Sequence, residues 1–571
     1  DNTSTSTLDN QGTITVSTNT GEATGAYASV SGGITINNQS NITATATGGG
    51  VARGISASVS DATAGKLTLT NTDTITASSV TGSASGIVGR SAGKDGVITN
   101  NKTVDVTASS GDSAGISAWA AGTANAITVK NTAQITLKGA TEAKSNRGGV
   151  LLGGWNPAED STVTPVSALF KVINTDTGVI DADDFSSAIA QDDSFAAEGK
   201  FAGSPVSVAI ENTGTLKGGN AVNLYAGNNS FTQTRGTTTG NISMGDGNNT
   251  VTLSGGSVTG DTTAGKGNDL YILENTGVQV KGNVGLGDGN NTFMLVMNSE
   301  RPADAPITGN LTAGSGNDIL AMKNMTVKGN VNLGDGNNVL VLDNSMLSDD
   351  AGNPGDITTG RGNDVLTLSG ASVVRNISLG DGDNILAMSR AVIDGAVTAG
   401  GGDDRLMFVT DTDADTSGSA IPSDLYTVIN NSGTDISLGD GNNTVIMDHD
   451  VTFSNGNNSI VTGKGNDAFI ISNGTFNSNI NAGDGDNTFT VTGGSLKGSI
   501  TGGSGADVYY QSAGDVVGNL NAGDGFNDIT LDGGTLTGNI TTGAGDDIIF
   551  LSSGKYSGAV STGAGDDLMY L

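Results

Sequence analysis

The sequence has no cysteine, a single histidine (His449) and few aromatic residues, which make up 4% of the chain. Without cysteine, neither disulfides nor thiolate metal sites can stabilise the fold, and a lone histidine argues against a zinc site. The scarcity of bulky side chains argues against a large spherical core. No apolar run approaches the roughly 18 residues of a membrane helix, so we expect no membrane insertion within the chain.

Basic residues are also scarce. The chain has 25 Lys and Arg against 58 Asp and Glu, which gives a net charge of -33 and a pI near 4.1. Nucleic acids and anionic membranes require a basic surface, so neither is expected as a partner. An acidic surface attracts cations, and calcium, which prefers carboxylate and carbonyl oxygens, is the first ligand to consider.

Glycine, by contrast, supplies 90 residues, and Thr, Ser and Asn are frequent. This composition is typical of short strands and tight turns. From Gly245 onward one pattern with two glycines recurs, in most steps after 20 residues, and longer steps contain insertions. The seven prolines lie in irregular stretches or insertions, and none interrupts a copy. The first glycines of the fifteen copies are residues 245, 265, 287, 314, 334, 360, 380, 400, 439, 463, 483, 503, 523, 543 and 563.

Apolar residues hold fixed places around these glycines. Residues such as Val331 and Ile377 stand three places before the first glycine, and residues such as Leu340 and Leu386 stand six places after it. Because residues two apart on a strand share a face, each copy should form a strand, a glycine turn and a second strand facing one core. Only stacked copies can bury that face. The pattern therefore predicts an all-β, elongated parallel β-solenoid (a β-helix or β-roll) with rungs of roughly 20 residues.

The first 220 residues carry a looser version of this pattern. The phrases "DNQG", "NNQS", "TNTD", "TNNK", "KNTA", "INTD" and "ENTG" recur there about every 30 to 40 residues. We predict an irregular N-terminal β-solenoid over residues 1–220, with a protruding loop near 144–170, and a regular β-solenoid of fifteen repeats over residues 221–571. At roughly 4.8 Å per rung, about 25 rungs would make a rod on the order of 120 Å long.

The fifteen turns alternate between two kinds. One reads G-D-G-N-N in most copies, and its aspartates are Asp246, Asp288, Asp335, Asp381, Asp440, Asp484 and Asp524. The other reads G-x-G-x-D, and its aspartates are Asp269, Asp318, Asp364, Asp404, Asp467, Asp507, Asp547 and Asp567. Two carboxylates stacked about 5 Å apart repel by roughly 3 kcal/mol at an effective dielectric constant near 20. Alternating Asp with Asn halves that cost, which predicts a super-repeat of two rungs, about 40 residues.

Two interpretations of the turns remain open. In the first, calcium lies between neighbouring turns and binds Asp, Asn and glycine carbonyl oxygens. All fifteen aspartates are then candidate ligands, and the best lie in the last two repeats, where no Lys or Arg compensates Asp547 and Asp567. In the second, Asn and Asp form a ladder that only closes the turns, and Lys266, Arg361 and Lys464 neutralise neighbouring carboxylates.

Two resemblances to known families follow from these motifs. The phrases of residues 1–220, with "ARGISASV" and "SAGISAWA", resemble the passenger domains of bacterial autotransporters and related secreted β-helix adhesins. The turns "GKGNDLYIL", "GSGNDILAM", "GRGNDVLTL" and "GAGDDIIFL" resemble the calcium-binding nonapeptide of RTX proteins. Together they imply an extracellular protein of the bacterial cell surface, with possible Ca2+ sites in the RTX-like part.

We therefore expect a non-enzymatic surface protein, an acidic rod for adhesion, self-association or formation of a filament or layer. Its expected partner is itself, as a homo-oligomer or filament, because no cap is evident at Asp1 or Leu571 and terminal rungs present unpaired strand edges. Surface glycans and other cells are further candidate partners. The alternatives are a calcium-dependent RTX-like secreted protein and, with less support, a polysaccharide-active β-helix enzyme. An enzyme requires convergent ionisable groups, whereas these acids follow one regular column.

Overall fold

A computed structural model describes most of the chain. The described residues are 5–62, 65–121, 125–142, 146–156, 161–162, 168–193, 207–274, 277–297, 305–349, 352–409, 427–429, 435–453 and 458–571. They fall into two compact units. The first is formed by Asp1–Met294 with Pro306–Thr308, and the second by Leu295–Ala305 with Gly309–Leu571. The strand Thr292–Val296 contains the boundary at Met294.

Each rung of the first unit places its strands in three stacks, and strands within a stack pair in parallel. The first stack comprises Ser6–Asn10, Ile34–Asn38, Leu67–Asn71, Gly96–Asn100, Asn125–Asn131, Ala168–Asn174, Ser207–Asn212, Ser230–Gln233, Thr250–Leu253 and Leu270–Glu274. The second comprises Ile14–Thr18, Ile42–Ala46, Ile75–Ser79, Val104–Ala108, Gln134–Lys138, Val179–Ala182, Thr215–Asn223, Thr237–Ser243, Gly256–Thr259, Val278–Lys281 and Ile307–Thr308. The third comprises Glu22–Val30, Val51–Val59, Ala84–Ser91, Ser113–Ala120, Arg147–Asn156, Ser187–Gln191, Thr262–Thr263 and Val284–Gly285. Two long strands, Thr215–Asn223 and Thr237–Ser243, belong to both the second and the third stack.

The second unit repeats this arrangement with shorter rungs. Its first stack comprises Ile319–Lys323, Val339–Asp343, Val365–Ser369, Ile385–Met388, Arg405–Phe408, Thr444–Met447, Ala468–Ile471, Thr488–Val491, Val508–Gln511, Asp528–Leu531, Ile548–Leu551 and Leu568–Tyr570. The second comprises Thr326–Lys328, Met346–Ser348, Val373–Val374, Val392–Ile393, Thr427–Ile429, Val451–Phe453, Thr475–Phe476, Ser495–Leu496, Asp515–Val517, Thr535–Thr537 and Lys555–Ser557. The third comprises Leu311–Thr312, Val331–Asn332, Ile357–Thr358, Ile377–Ser378, Val397–Thr398, Ile436–Ser437, Ser459–Val461, Asn479–Asn481, Ile500–Ser504, Leu520–Asp524, Ile540–Thr542 and Val560–Ser561.

The register confirms the predicted parallel β-solenoid. Leu340 pairs with Leu320 in the rung before and with Leu366 in the rung after, and all three side chains are buried. Val331 pairs with Ile357 in the same manner on the third stack. Like residues are thus stacked rung upon rung, and the apolar side chains of the three stacks form a narrow continuous core.

One strand of each rung was not predicted. The sequence pattern gave a strand, a turn and a second strand, whereas the structure adds the short second-stack strands such as Thr326–Lys328. Their inward residues, including Val327, Leu496 and Leu536, are buried. The signal was an apolar residue seven places before the first glycine of a copy, isolated among polar residues.

In the first unit, a column of glycines lets the third stack approach the second closely. A Cβ atom placed on Gly54 would lie 2.2 Å from Ile75 Cγ2 and 2.6 Å from the carbonyl oxygen of Gly86 in the next rung. Gly115 has the corresponding contacts, with Ile135 Cγ2 at 2.1 Å. The phrases "ARGISASV" and "SAGISAWA" therefore need glycine at this position because any side chain would separate the rungs.

The predicted loop near 144–170 is described only in part. Arg147–Asn156 is a strand of the third stack, and its end, Trp155 and Asn156, pairs antiparallel with Thr162 and Ser161. Residues 157–160 and 163–167 lie outside the described residues, so the loop stays a prediction. Across the described ranges, no helix is long and apolar enough to cross a bilayer.

Candidate functional site: the glycine-turn column

From the turn at Gly245 to the turn at Gly483, the glycine turns alternate in backbone conformation as well as in sequence. In the turn that starts at Gly334, the first glycine has φ +74° and the second, Gly336, has φ +131°. In the following turn only the second glycine, Gly362, has a positive φ, of +138°. A Cβ atom on Gly336 would lie 1.8 Å from the carbonyl oxygen of Gly316 in the rung before. Glycine is required there both by its conformation and by the close approach of the two rungs.

The residues that follow the second glycine by two places form a buried ladder, which we call the inner ladder. In each step, the backbone N–H of one residue donates to Oδ1 of the residue one rung later, over 2.7 to 3.1 Å. Its members in the first unit are Asn229, Asn249, Asp269 and Asn291. Its members in the second unit are Asp318, Asn338, Asp364, Asn384, Asp404, Asn443, Asp467, Asn487, Asp507, Asn527, Asp547 and Asp567.

Asn and Asp have different roles within this ladder. The amide of Asn338 donates from Nδ2 to the carbonyl oxygens of Gly334 and Gly336 in its own turn, over 3.0 and 3.1 Å. An Asp cannot make these bonds because an ionised carboxylate has no donor. Oδ2 of Asp404, Asp507 and Asp547 is instead buried and receives no hydrogen bond from any described residue.

Burial raises the pKa of several aspartates of the inner ladder. Burial raises the pKa of Asp404 and Asp507 to about 6, against hydrogen bonds from Asn384 and Asn487 that lower it. The pKa of Asp269 is raised to about 6 for the same reason. Burial also raises the pKa of Asp364, but there the hydroxyl of Thr359 lies beside the carboxyl group and opposes the shift.

The aspartates between the two glycines are solvent-exposed, and the carboxylates of most of them accept a backbone N–H of the next rung. Oδ1 of Asp335 accepts the N–H of Arg361 over 2.9 Å, and Oδ1 of Asp440 accepts the N–H of Lys464 over 2.8 Å. The carboxylates of Asp246, Asp381 and Asp524 accept the equivalent N–H groups of Lys266, Gly401 and Ala544. Asp484 accepts the hydroxyl of Ser504 over 2.7 Å, and the backbone carbonyl of Asp288 accepts the N–H of Gly267. The predicted basic neighbours thus contribute backbone donors, and Arg361 Nε also lies 4.0 Å from Asp381 Oδ2.

The predicted calcium ligands therefore lie in two rows, and each row carries a carboxylate in every second rung, except that Asp547 and Asp567 are consecutive. Among the described residues, no group of three or more His, Cys, Asp or Glu side chains has the arrangement of a metal site. The ladder interpretation accounts for the observed hydrogen bonds, while calcium binding stays a prediction. The last two rungs differ from the rest, because Asp547 donates its N–H to another aspartate, Asp567, over 3.1 Å.

A second buried ladder, in the first unit, was not predicted. Each Asn at the end of a first-stack strand donates from Nδ2 to the side-chain oxygen of the next, over 2.7 to 3.0 Å. The members are Asn10, Asn38, Asn71, Asn100, Asn131, Asn174, Asn212 and Gln233. The signal was present in the sequence, since each recurring phrase from "DNQG" to "ENTG" contains one of these asparagines.

Comparison with known proteins identified no relative of this chain. The chain matches no protein-family model, no curated protein and no solved structure. The likeness to autotransporter passengers and RTX proteins therefore rests on the sequence motifs and on the parallel solenoid fold.

Proposed function

We propose that this chain is a non-enzymatic protein of the bacterial cell surface, a solenoid scaffold that serves in adhesion, self-association or assembly of a filament or layer. The observation that supports this proposal is the hydrogen bonding of the turn side chains between neighbouring rungs. The acidic and amide groups of the inner ladder bind backbone N–H groups of neighbouring rungs, so they hold the stack together rather than converge on a substrate.

Antibody labelling of intact source cells tests this proposal. Antibodies raised against the purified chain should label unpermeabilised cells, and protease added outside should remove the label. Deletion of the gene should lower adherence or disturb the surface layer seen in electron micrographs. Labelling that requires permeabilised cells would overturn the proposal.

A second candidate, a calcium-dependent RTX-like secreted protein, is favoured by one specific observation. Oδ2 of Asp547 is buried without a donor, and the next rung supplies another carboxylate, Asp567. A buried carboxylate oxygen without a donor is destabilised, and a bound cation would compensate it. The calcium titration argued in the Discussion tests this candidate. We do not propose the third alternative, a polysaccharide-active enzyme, because the turn carboxylates are engaged in bonds to backbone.

A further inference from the structure

The outward face of the first stack in the second unit is apolar across seven consecutive rungs. Each strand presents two outward residues there, because alternate residues point away from the core. We call this surface the apolar strip. Its fourteen positions are Ile319, Ala321, Val339, Val341, Val365, Thr367, Ile385, Ala387, Arg405, Met407, Thr444, Ile446, Ala468 and Ile470. Eleven are apolar, one is charged, and Ile319, Val339 and Val341 are 44%, 36% and 37% exposed.

The same face of the first unit has a different chemistry. Its first seven rungs offer fourteen equivalent positions, of which only three are apolar and four are charged. They are Thr7, Asp9, Thr35, Asn37, Thr68, Thr70, Val97, Thr99, Thr128, Lys130, Lys171, Ile173, Ala209 and Glu211. The fold therefore accepts Thr and charged residues at outward positions, so the solenoid itself does not require the apolar residues of the strip.

Polar residues border the apolar strip on both sides. Along one border runs a row of exposed Asn and Asp, in which the N–H of Asn337 donates to Oδ1 of Asn317 over 2.8 Å and the N–H of Asn363 to Oδ1 of Asn337. On the other border, Lys323 Nζ lies 3.0 Å from Asp343 Oδ2. An apolar centre with a polar rim is the usual anatomy of a specific protein interface.

The shape of the strip suits a second copy of the same chain. Its outward side chains repeat from rung to rung about every 4.8 Å. Two sheets with the same strand spacing can pack face to face with a distance of about 10 Å between the sheets. Seven rungs and two columns cover about 30 Å by about 15 Å. With the rims added, two copies would bury on the order of 1,000 Å2, the lower end for a specific interface. A self-complementary patch of this kind gives a two-fold dimer.

We propose that the apolar strip is a lateral dimer interface, in which the strips of two copies pack face to face. This inference deepens the proposed self-association and rests on it. Each copy carries a net charge of -33, so the copies repel one another, and added salt screens that repulsion. Dimerisation through an apolar face should therefore strengthen with salt, whereas binding to an oppositely charged partner should weaken.

Sedimentation of the full chain between 1 and 50 micromolar (about the range expected for a small interface), at low and at high salt, tests this interface. The wild type should form dimers, and more of them at high salt. A variant with Val341→Thr, Ile385→Thr and Ile446→Thr, which copies the chemistry of the first unit, should raise the dimer dissociation constant at least about tenfold. The single substitution Val341→Asp should also raise the dimer dissociation constant at least about tenfold. The matched control is Thr70→Val with Thr99→Val on the first unit, which should leave the dissociation constant unchanged.

The results separate this inference from the proposed function. If wild type and triple-Thr variant associate equally, the strip is not the interface, although surface self-association stands. If the wild type is monomeric at every salt concentration, the inference fails, and cell labelling still decides the surface role. Unchanged circular dichroism and melting temperature of the triple-Thr variant will show that a lost dimer is not an unfolded chain.

Discussion

The backbone N–H of Asn338 donates to Oδ1 of Asp364, 2.8 Å away in the following rung, while the Asn338 amide closes its own turn. The alternation of Asn with Asp therefore has two physical reasons. It separates the charges, and it supplies an NH2 donor to every second turn from Gly245 to Gly523.

Replacing Asn338 with Asp should destabilise the second unit strongly. The change removes the two bonds to Gly334 and Gly336 and places a third buried carboxyl group between Asp318 and Asp364. We expect a loss of about 3 kcal/mol or more in the free energy of unfolding, from lost hydrogen bonds and buried charge. Denaturant unfolding monitored by circular dichroism measures it.

The matched control is Asp335→Asn in the same turn. Asp335 is exposed, and an Asn side chain keeps the Oδ1 acceptor for the N–H of Arg361. This substitution should change the free energy of unfolding by no more than about 0.5 kcal/mol. Equal effects of the two substitutions would mean that the Asn338 amide bonds do not contribute to stability.

The buried aspartates make stability depend on pH. The pKa of Asp404 and of Asp507 is about 6 in the folded chain, above the ordinary value of 3.8. Because the folded state holds the proton more tightly, their contribution is fully present below about pH 4 and is lost as the pH rises through 6. A gap of about two pKa units corresponds to about 3 kcal/mol for each residue at pH 7.

A double variant, Asp404→Asn with Asp507→Asn, isolates this contribution. The variant should gain stability relative to the wild type as the pH increases from 4 to 7.5, because Asn cannot ionise. Unfolding free energies measured across that range give the difference, and any pH-independent effect of the amides cancels. A difference that stays constant with pH would contradict the buried-carboxyl assignment.

The repeat pattern was sufficient to predict the fold, but not the chemistry of the ladder. Leu340 and its equivalents stand at a fixed distance from glycine, so the period alone reveals which side chains stack in the core. The positions of Asp364 and Asn338 were evident too, yet their side-chain oxygens are consistent with either calcium binding or hydrogen bonding. Only the three-dimensional structure shows that Oδ1 of Asp364 accepts the backbone N–H of Asn338 in the previous rung.

Other features could not be predicted from the sequence, for different reasons. Most second-stack strands of the second unit have one inward apolar residue, such as Val327, and one residue cannot establish a period of two. The amide ladder through Asn100 and Asn131 lies among many other Asn residues, with irregular spacing between its members. The apolar strip was hidden because the inward and the outward residues of a strand such as Val339–Asp343 are alike apolar up to its last residue, Asp343.

Adjacent residues on that strand should respond oppositely to substitution. Leu340 is fully buried between Leu320 and Leu366, whereas Val341 points outward. Leu340→Ala should cost about 2 to 5 kcal/mol through the cavity it leaves, and Leu340→Asp should unfold several rungs because the charge is buried without a partner. Val341→Ala should cost less than about 1 kcal/mol. Thermal unfolding distinguishes these outcomes, and similar losses at both positions would mean that the register is wrong.

The residue immediately before the first glycine of a turn should influence the pKa of the inner-ladder carboxyl group in that turn. The hydroxyl of Thr359, which donates to the carbonyl oxygen of Leu379 over 2.8 Å, lies beside Asp364 and opposes the rise in its pKa that burial causes, whereas the equivalent residue for Asp404 is Ala399. We expect Ala399→Thr to lower the pKa of Asp404, because the new hydroxyl can donate to the ionised carboxylate. A carboxyl 13C titration by NMR measures this pKa. Ala399→Val is the control, since it adds similar volume without a donor, and an equal change in both variants would rule out the hydrogen bond.

The last prediction concerns calcium at Asp547 and Asp567. Asp547 and Asp567 follow one another in the inner ladder, and the N–H of Asp566 donates to Oδ1 of Asp546 over 2.9 Å in the exposed row beside it. Four carboxylates in two successive rungs repel one another without a nearby Lys or Arg in the turn, where Ala544 and Ala564 stand. A cation bound only to the folded state would add about 2.7 kcal/mol at a hundred times its dissociation constant.

Calcium should therefore raise the melting temperature of the chelated chain, and magnesium should raise it less, because calcium tolerates a wider and more irregular oxygen shell. Asp547→Asn with Asp567→Asn should remove most of the increase. The control pair is Asp404→Asn with Asp507→Asn, whose rungs alternate with Asn and should keep the response to calcium. If melting curves in chelator and in millimolar calcium coincide, these aspartates are hydrogen-bond acceptors of the ladder and nothing more, and the likeness to RTX turns is one of backbone conformation alone.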